Sequence, residues 1–119
     1  MREFIDEMLH YDFSIRCRET FEQEVTLKDE DGTLIDLNGK TAAAQVRPSP
    51  GSPDLTAAMH CEVDIPSATI TMLLTSAQTA EITPGKYAYD LCIIEDAEGE
   101  EIRKYLLGGV FSVFPSVTD

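Results

Sequence analysis

Tryptophan is absent from this chain of 119 residues, cysteine occurs three times and histidine twice. Bases are scarce as well: nine Lys and Arg face 22 Asp and Glu, a formal net charge of 9 − 22 = −13. No apolar run exceeds four residues, the longest being Leu91 to Ile94. Each shortage closes off a class of function. A bilayer-spanning helix needs about 20 consecutive apolar residues, so none is expected. The opening stretch MREFIDEMLHYD carries Glu3, Asp6 and Glu7 where an export signal has a basic start and an apolar segment. The product is therefore expected to stay in the compartment where it is made. A field this negative repels phosphate backbones and anionic lipid surfaces, so neither nucleic acid nor membrane is expected as a partner. Cys17, Cys61 and Cys92 are widely spaced and odd in number, unlike a disulfide framework, and read as three reduced thiols.

Ligands and nucleophiles are thin on the ground. His10 and His60, the second followed by Cys61, do not make the four-ligand set of structural zinc. Cysteines in alternating apolar positions, such as Cys17 and Cys92, read as buried and inert. No nucleophile elbow, phosphate-binding loop, H-E-x-x-H or dinucleotide fingerprint occurs. The expectation is a protein that is not an enzyme, with no catalytic residue, no cofactor and no metal ligand. Two acidic turns, one around Asp29 and Asp31 and one around Asp96, Glu98, Glu100 and Glu101, invite comparison with calcium loops. A calcium loop opening at Asp29 needs a bidentate carboxylate at its twelfth position, where Lys40 stands. Both turns read as solvated hairpin tips.

What the chain does have is alternation. Phe13, Ile15 and Cys17 fall on one side of a two-residue period, and Ser14, Arg16 and Arg18 on the other, the pattern of a strand with one wet face. Further strands are expected at 20–27, 33–37, 40–47, 55–63, 68–74, 86–95, 101–107 and 110–114, separated by Asp-Gly, Asn-Gly and Pro-Gly turn signals. The run Pro48-Ser49-Pro50-Gly51-Ser52-Pro53 cannot sit in a central strand and reads as a loop. Ser76 is a candidate cap for a short helical turn that Pro84-Gly85 stops. The strand with Tyr87, Tyr89, Leu91 and Ile93 on one face is the most apolar and reads as central. Many short strands at regular spacing point to an all-β, antiparallel sandwich of about seven to nine strands. The segment Pro84-Gly85-Lys86-Tyr87-Ala88-Tyr89 resembles the tyrosine corner of immunoglobulin-like sandwiches, which gives Tyr87 a structural role; Tyr89 stands where antibody domains place a cysteine. The predicted buried core is Phe13, Ile15, Val46, Ile70, Met72, Leu74, Tyr87, Tyr89, Leu91, Ile93 and Val113.

Residues 1–11 break the pattern. Phe4, Ile5, Met8 and Leu9 recur at helical spacing and predict a short amphipathic helix, too short to stand alone in water. Two units follow: an N-terminal helical arm over 1–11, which either lies across an open end of its own sandwich or, the favoured reading, packs on another subunit as an interaction arm, and a single sandwich domain over 12–119.

The order of the turn motifs also resembles a known group. A D-x-D-G hairpin, a D-L-x-G turn (Asp36, Leu37, Asn38, Gly39), an A-x-x-R strand, an S-x-x-Q-T turn one residue tighter here (Ser76-Ala77-Gln78-Thr79), and a G-x-Y-x-Y-D strand are similar to small structural proteins of tailed phages and prophages. The likeness is to the immunoglobulin-like N-terminal domain of phage baseplate upper proteins and spans residues 12–118. It implies a virion structural component of tail, baseplate or head-tail region, made in the bacterial cytoplasm and then built into the virion. Its partners would be other phage structural proteins and further copies of itself. No fibre or receptor-binding region is expected after the last strand. The competing expectation is a carbohydrate- or calcium-binding β-sandwich module, for which exposed aromatic platforms would be needed.

Overall fold

The computed structural model describes residues 9–118. Eight strands account for most of them: β1 (Leu9–His10), β2 (Phe13–Arg16), β3 (Phe21–Thr26), β4 (Lys40–Arg47), β5 (Ala57–Asp64), β6 (Thr69–Leu74), β7 (Gly85–Ala97) and β8 (Glu100–Phe114). One short helix, α1 (Ser76–Ala80), interrupts them. The expected all-β sandwich is what forms. One sheet runs β8-β7-β4-β5, with β1 and β2 laid end to end along the outer side of β8; the other runs β5-β6-β3.

β5 belongs to both sheets. Ala57 to Met59 pair with Val46 to Ala44 of β4, whereas His60 to Asp64 pair with Leu73 to Thr69 of β6. A strand that changes sheet in this way folds the ladder over on itself, so that the inner faces enclose one core. Alternation supplies that core directly. In β6, Ile70, Met72 and Leu74 are fully buried while Thr69, Thr71 and Leu73 face outward. From β7 the core receives Tyr89, Leu91 and Ile93, from β4 Val46, and from β8 Phe111 and Val113. Of the predicted core, Phe13 and Tyr87 are only half-buried, packed against its margin.

Three expectations need correction. The segment 33–37 is not a strand beyond a single bridge from Lys28 to Leu34. Its backbone is drawn off by Asx turns: Asp29 Oδ1 accepts from the amides of Asp31 and Thr33, each at 2.9 Å, and Asp36 Oδ1 accepts from Asn38 at 2.9 Å. The turn instead delivers Leu37 into the core at 0% exposure. The expected break between 107 and 110 does not occur, since Gly108 and Gly109 stay in the ladder and β8 is continuous. The helix is capped by Thr75 and not by Ser76. The Thr75 hydroxyl accepts from the Gln78 amide at 3.1 Å and Gln78 Oε1 accepts from the Thr75 amide at 2.9 Å, a reciprocal capping box. The hydroxyl of Thr79, fully buried, donates to the Glu19 carbonyl at 2.8 Å and ties the helix to the β2–β3 connection.

Candidate functional site

The predicted interaction arm meets the described structure only at its end. Phe4, Ile5 and Met8 lie outside the described residues. Leu9, the fourth member of the proposed stripe, is not helical: Leu9 and His10 form β1, in parallel register with Leu107 and Gly108 of β8. The physical reason is the exposed edge of β8, whose backbone groups take up the segment as a ladder; the Tyr11 amide donates to the Gly108 carbonyl at 2.9 Å. The sandwich therefore reaches three residues, Leu9 to Tyr11, into the segment read as an arm. The antiparallel expectation holds for every pairing except those of β1 and β2 with β8.

Between β1 and β2 the ladder is kept by side chains. Asp12 Oδ1 accepts the Val110 amide at 2.8 Å, where a strand carbonyl would otherwise stand, and His10 Nε2 lies 3.0 Å from the same oxygen. The hydroxyl of Tyr89, whose ring is buried, donates to the Tyr11 carbonyl. Gly109 makes this approach feasible: a Cβ there would lie 2.5 Å from the Tyr11 carbonyl oxygen and 2.6 Å from Asp12 Oδ1. Aromatic rings carry the contact inward. Tyr11, Phe13, Phe21 and Phe111 form a chain with successive centroids 4.9, 5.1 and 5.1 Å apart. Burial raises the Tyr89 phenol above its ordinary value, with Asp12 and Tyr11 adding to the shift. Tyr87 sits at the margin with its hydroxyl donating to the Thr83 carbonyl, the contact a tyrosine corner makes.

The outward face of the β4-β7-β8 sheet forms a groove of about 740 Å³. Its floor is small, with Ala43, Ala88 and Gly109 exposing backbone and little else, and the loop 48–52 overhangs one side. Arg47 braces that loop, donating to the Ser52 carbonyl at 3.2 Å and to Gln45 Oε1 at 2.8 Å. Asp90 lies on the floor; burial raises its carboxyl pKa above the usual carboxylate value, against the opposing pull of Arg47 and Arg103. The sequence reading missed this groove. Its signal was present, as small residues alternating with Gln45, Arg47 and Asp90 on the polar face of two central strands.

Cys17, Cys61 and Cys92 are free. Burial, and then the neighbouring Cys92, push the Cys61 thiol up to about 11, and Cys92 is raised by burial too. A thiol held protonated is a poor nucleophile. Among the described residues no three His, Cys, Asp or Glu side chains converge as a metal site. Nor is any described helix long and apolar enough to cross a membrane.

No protein-family model and no curated sequence matches the chain. Solved structures do. The N-terminal domain of phage TP901-1 ORF48 superposes with a TM-score of 0.56 at 11% identity, covering 92% of this chain and 92% of that one. A family 123 glycoside hydrolase from Clostridium perfringens aligns with a TM-score of 0.41 at 12% identity over 93% of this chain and 24% of its own. The first likeness shows a shared fold along nearly the whole of both chains.

Proposed function

We propose that the chain is a non-enzymatic structural component of a phage or prophage particle, acting in the tail, baseplate or head-tail region through protein–protein contact. One observation carries the reading: the fold shared with the phage TP901-1 domain extends over 92% of each chain. The motifs that resemble phage baseplate domains have structural work to do in this fold. Leu37 of the D-L-x-G turn plugs the core, Gln78 and Thr79 cap and anchor α1, and Tyr87 closes a corner. A domain of this kind works as a rigid body that presents surface. Its partners are other particle proteins and further copies of itself, and it passes from the bacterial cytoplasm into the virion.

Mass spectrometry of particles purified after induction of a lysogen carrying the gene tests this. The expected result is the chain as a stoichiometric component at a fixed copy ratio to a tail or head protein. Its absence from particles, with the chain present in the same lysate, would overturn the reading.

A further inference from the structure

We propose that the groove on the β4-β7-β8 face receives the β7–β8 hairpin tip of a second copy of this chain, so that copies join head to tail. The inference deepens the assembly reading above and rests on it for its biological setting.

Charge is distributed against the trend of the molecule. Acids outnumber bases 22 to 9 overall, yet the groove lining holds three of those bases (Arg47, Lys86 and Arg103) and a single acid, Asp90. With histidine neutral its charge is 3 − 1 = +2. A basic patch in so acidic a field draws a negative partner segment and orients it. The best-matched segment described is the hairpin tip. β4 stops pairing with β7 at the Lys40–Glu95 step, beyond which Asp96 and Ala97 pair only with Glu101 and Glu100. The tip thus projects past the sheet with Asp96, Glu98, Glu100 and Glu101 all exposed. The other acidic turn is a poorer fit, since it carries Lys28 and spends Asp29 on its own backbone.

Groove and tip occupy different stretches of the same two strands; only Glu101, at the foot of the tip, touches its own groove, through Arg103, and the turn itself cannot fold back without breaking the β7–β8 ladder. The contact is therefore between copies, and it joins two different surfaces. Such a heterologous contact leaves one groove and one tip unsatisfied in a dimer, and growth continues to a ring or filament. The small floor residues admit a turn backbone, and the guanidinium of Arg103, now 2.9 Å from Glu101 of its own strand, stands at the rim to exchange partners.

The test uses the full chain in light scattering and sedimentation over a concentration series. The groove variant is Lys86→Glu with Arg103→Glu, and the tip variant is Asp96→Lys with Glu98→Lys and Glu100→Lys; Arg47→Glu alone is a second groove probe. Circular dichroism must show native strand content for each. The intact chain should self-associate at low salt and weaken by about tenfold or more at about 0.5 M salt. The two reversal variants should each be monomeric alone, because groove and tip then carry like charges, and Arg47→Glu, which brings the groove to neutral, should weaken association. Mixing the two should restore assembly, since every groove again meets a tip of opposite sign. A monomeric intact chain at low salt overturns the inference, and so does a folded variant that associates like the parent. In the latter case self-association through another surface survives, and the particle reading stands or falls on its own mass spectrometry.

Discussion

Gly109→Ala adds one methyl group at the place where the N-terminal edge meets β8. The nearest atoms are the Tyr11 carbonyl oxygen at 2.5 Å and Asp12 Oδ1 at 2.6 Å. Real Cβ contacts essentially never fall below 3.0 Å, so the edge must move outward by at least 3.0 − 2.5 = 0.5 Å. A backbone carbonyl has no rotamer to escape into, and Asp12 can turn away only by releasing the Val110 amide. The displacement weakens three hydrogen bonds together: Tyr11 to Gly108, Val110 to Asp12, and Tyr89 to Tyr11. With about half of the roughly 1 kcal/mol net of each bond lost, plus overpacking strain of about 1–3 kcal/mol, less about 0.5–1 kcal/mol for the stiffer unfolded chain, the loss is about 1.5–4 kcal/mol. For a domain of this size that lowers the melting temperature by roughly 10 °C. Urea denaturation gives the magnitude, and amide exchange at Tyr11 and Val110 gives the location. Asp12→Ala should reproduce part of the effect, while Asp12→Asn, which keeps an acceptor oxygen, should cost much less. A Gly109→Ala protein melting within about 2 °C of the parent would refute the close-approach reasoning. So would a destabilised one whose Tyr11 and Val110 amides stay fully protected.

Leu91→Ala, at a position with 0% exposure in the centre of the core, should cost about 2–5 kcal/mol in denaturant melts. Asp90→Asn should raise the melting temperature at neutral pH: its folded-state pKa is raised, so the aspartate's stability contribution is complete below the ordinary carboxylate value and is lost as the group ionises. That gain should vanish at about pH 3, where both states carry the neutral acid. Cys61 and Tyr89 share the same sign, since burial raises both; stability should fall as pH climbs from the ordinary thiol value of 9.0 toward about 11 and beyond, and Tyr89→Phe should flatten the upper part of that decline. Denaturing alkylation should count three thiols by mass, whereas in the native protein Cys92, at 3% exposure, should react more slowly than half-buried Cys17 and Cys61.

Alternation made the strands and most of the core legible, because in a two-layer β-fold the side-chain period of two maps directly onto inside and outside. Ile70, Met72 and Leu74, or Tyr89, Leu91 and Ile93, needed nothing else. The failures have a common cause. At 33–37 and at 9–10 the local pattern was read without knowing which backbone partners were within reach. Two Asx turns took the first segment out of the ladder, and the open edge of β8 drew the second into it. Leu37 was misread as a strand residue for the same reason, although as a turn residue it is as deeply buried as Leu91.

Glycine shows most plainly what a single sequence hides. Gly108 and Gly109 look like punctuation between two strands, and composition alone argues for a turn. In the fold Gly109 is the opposite of a break: it keeps β8 continuous while letting a second chain segment lie against it at a distance no other residue permits. On the outward face the groove floor is left bare by other small residues, Ala43 and Ala88. The N-terminal edge and the surface proposed for a neighbouring copy therefore draw on different small residues. The two surfaces separate by experiment: Gly109→Ala should act through edge stability at any salt concentration, whereas the groove and tip reversals should act chiefly on association.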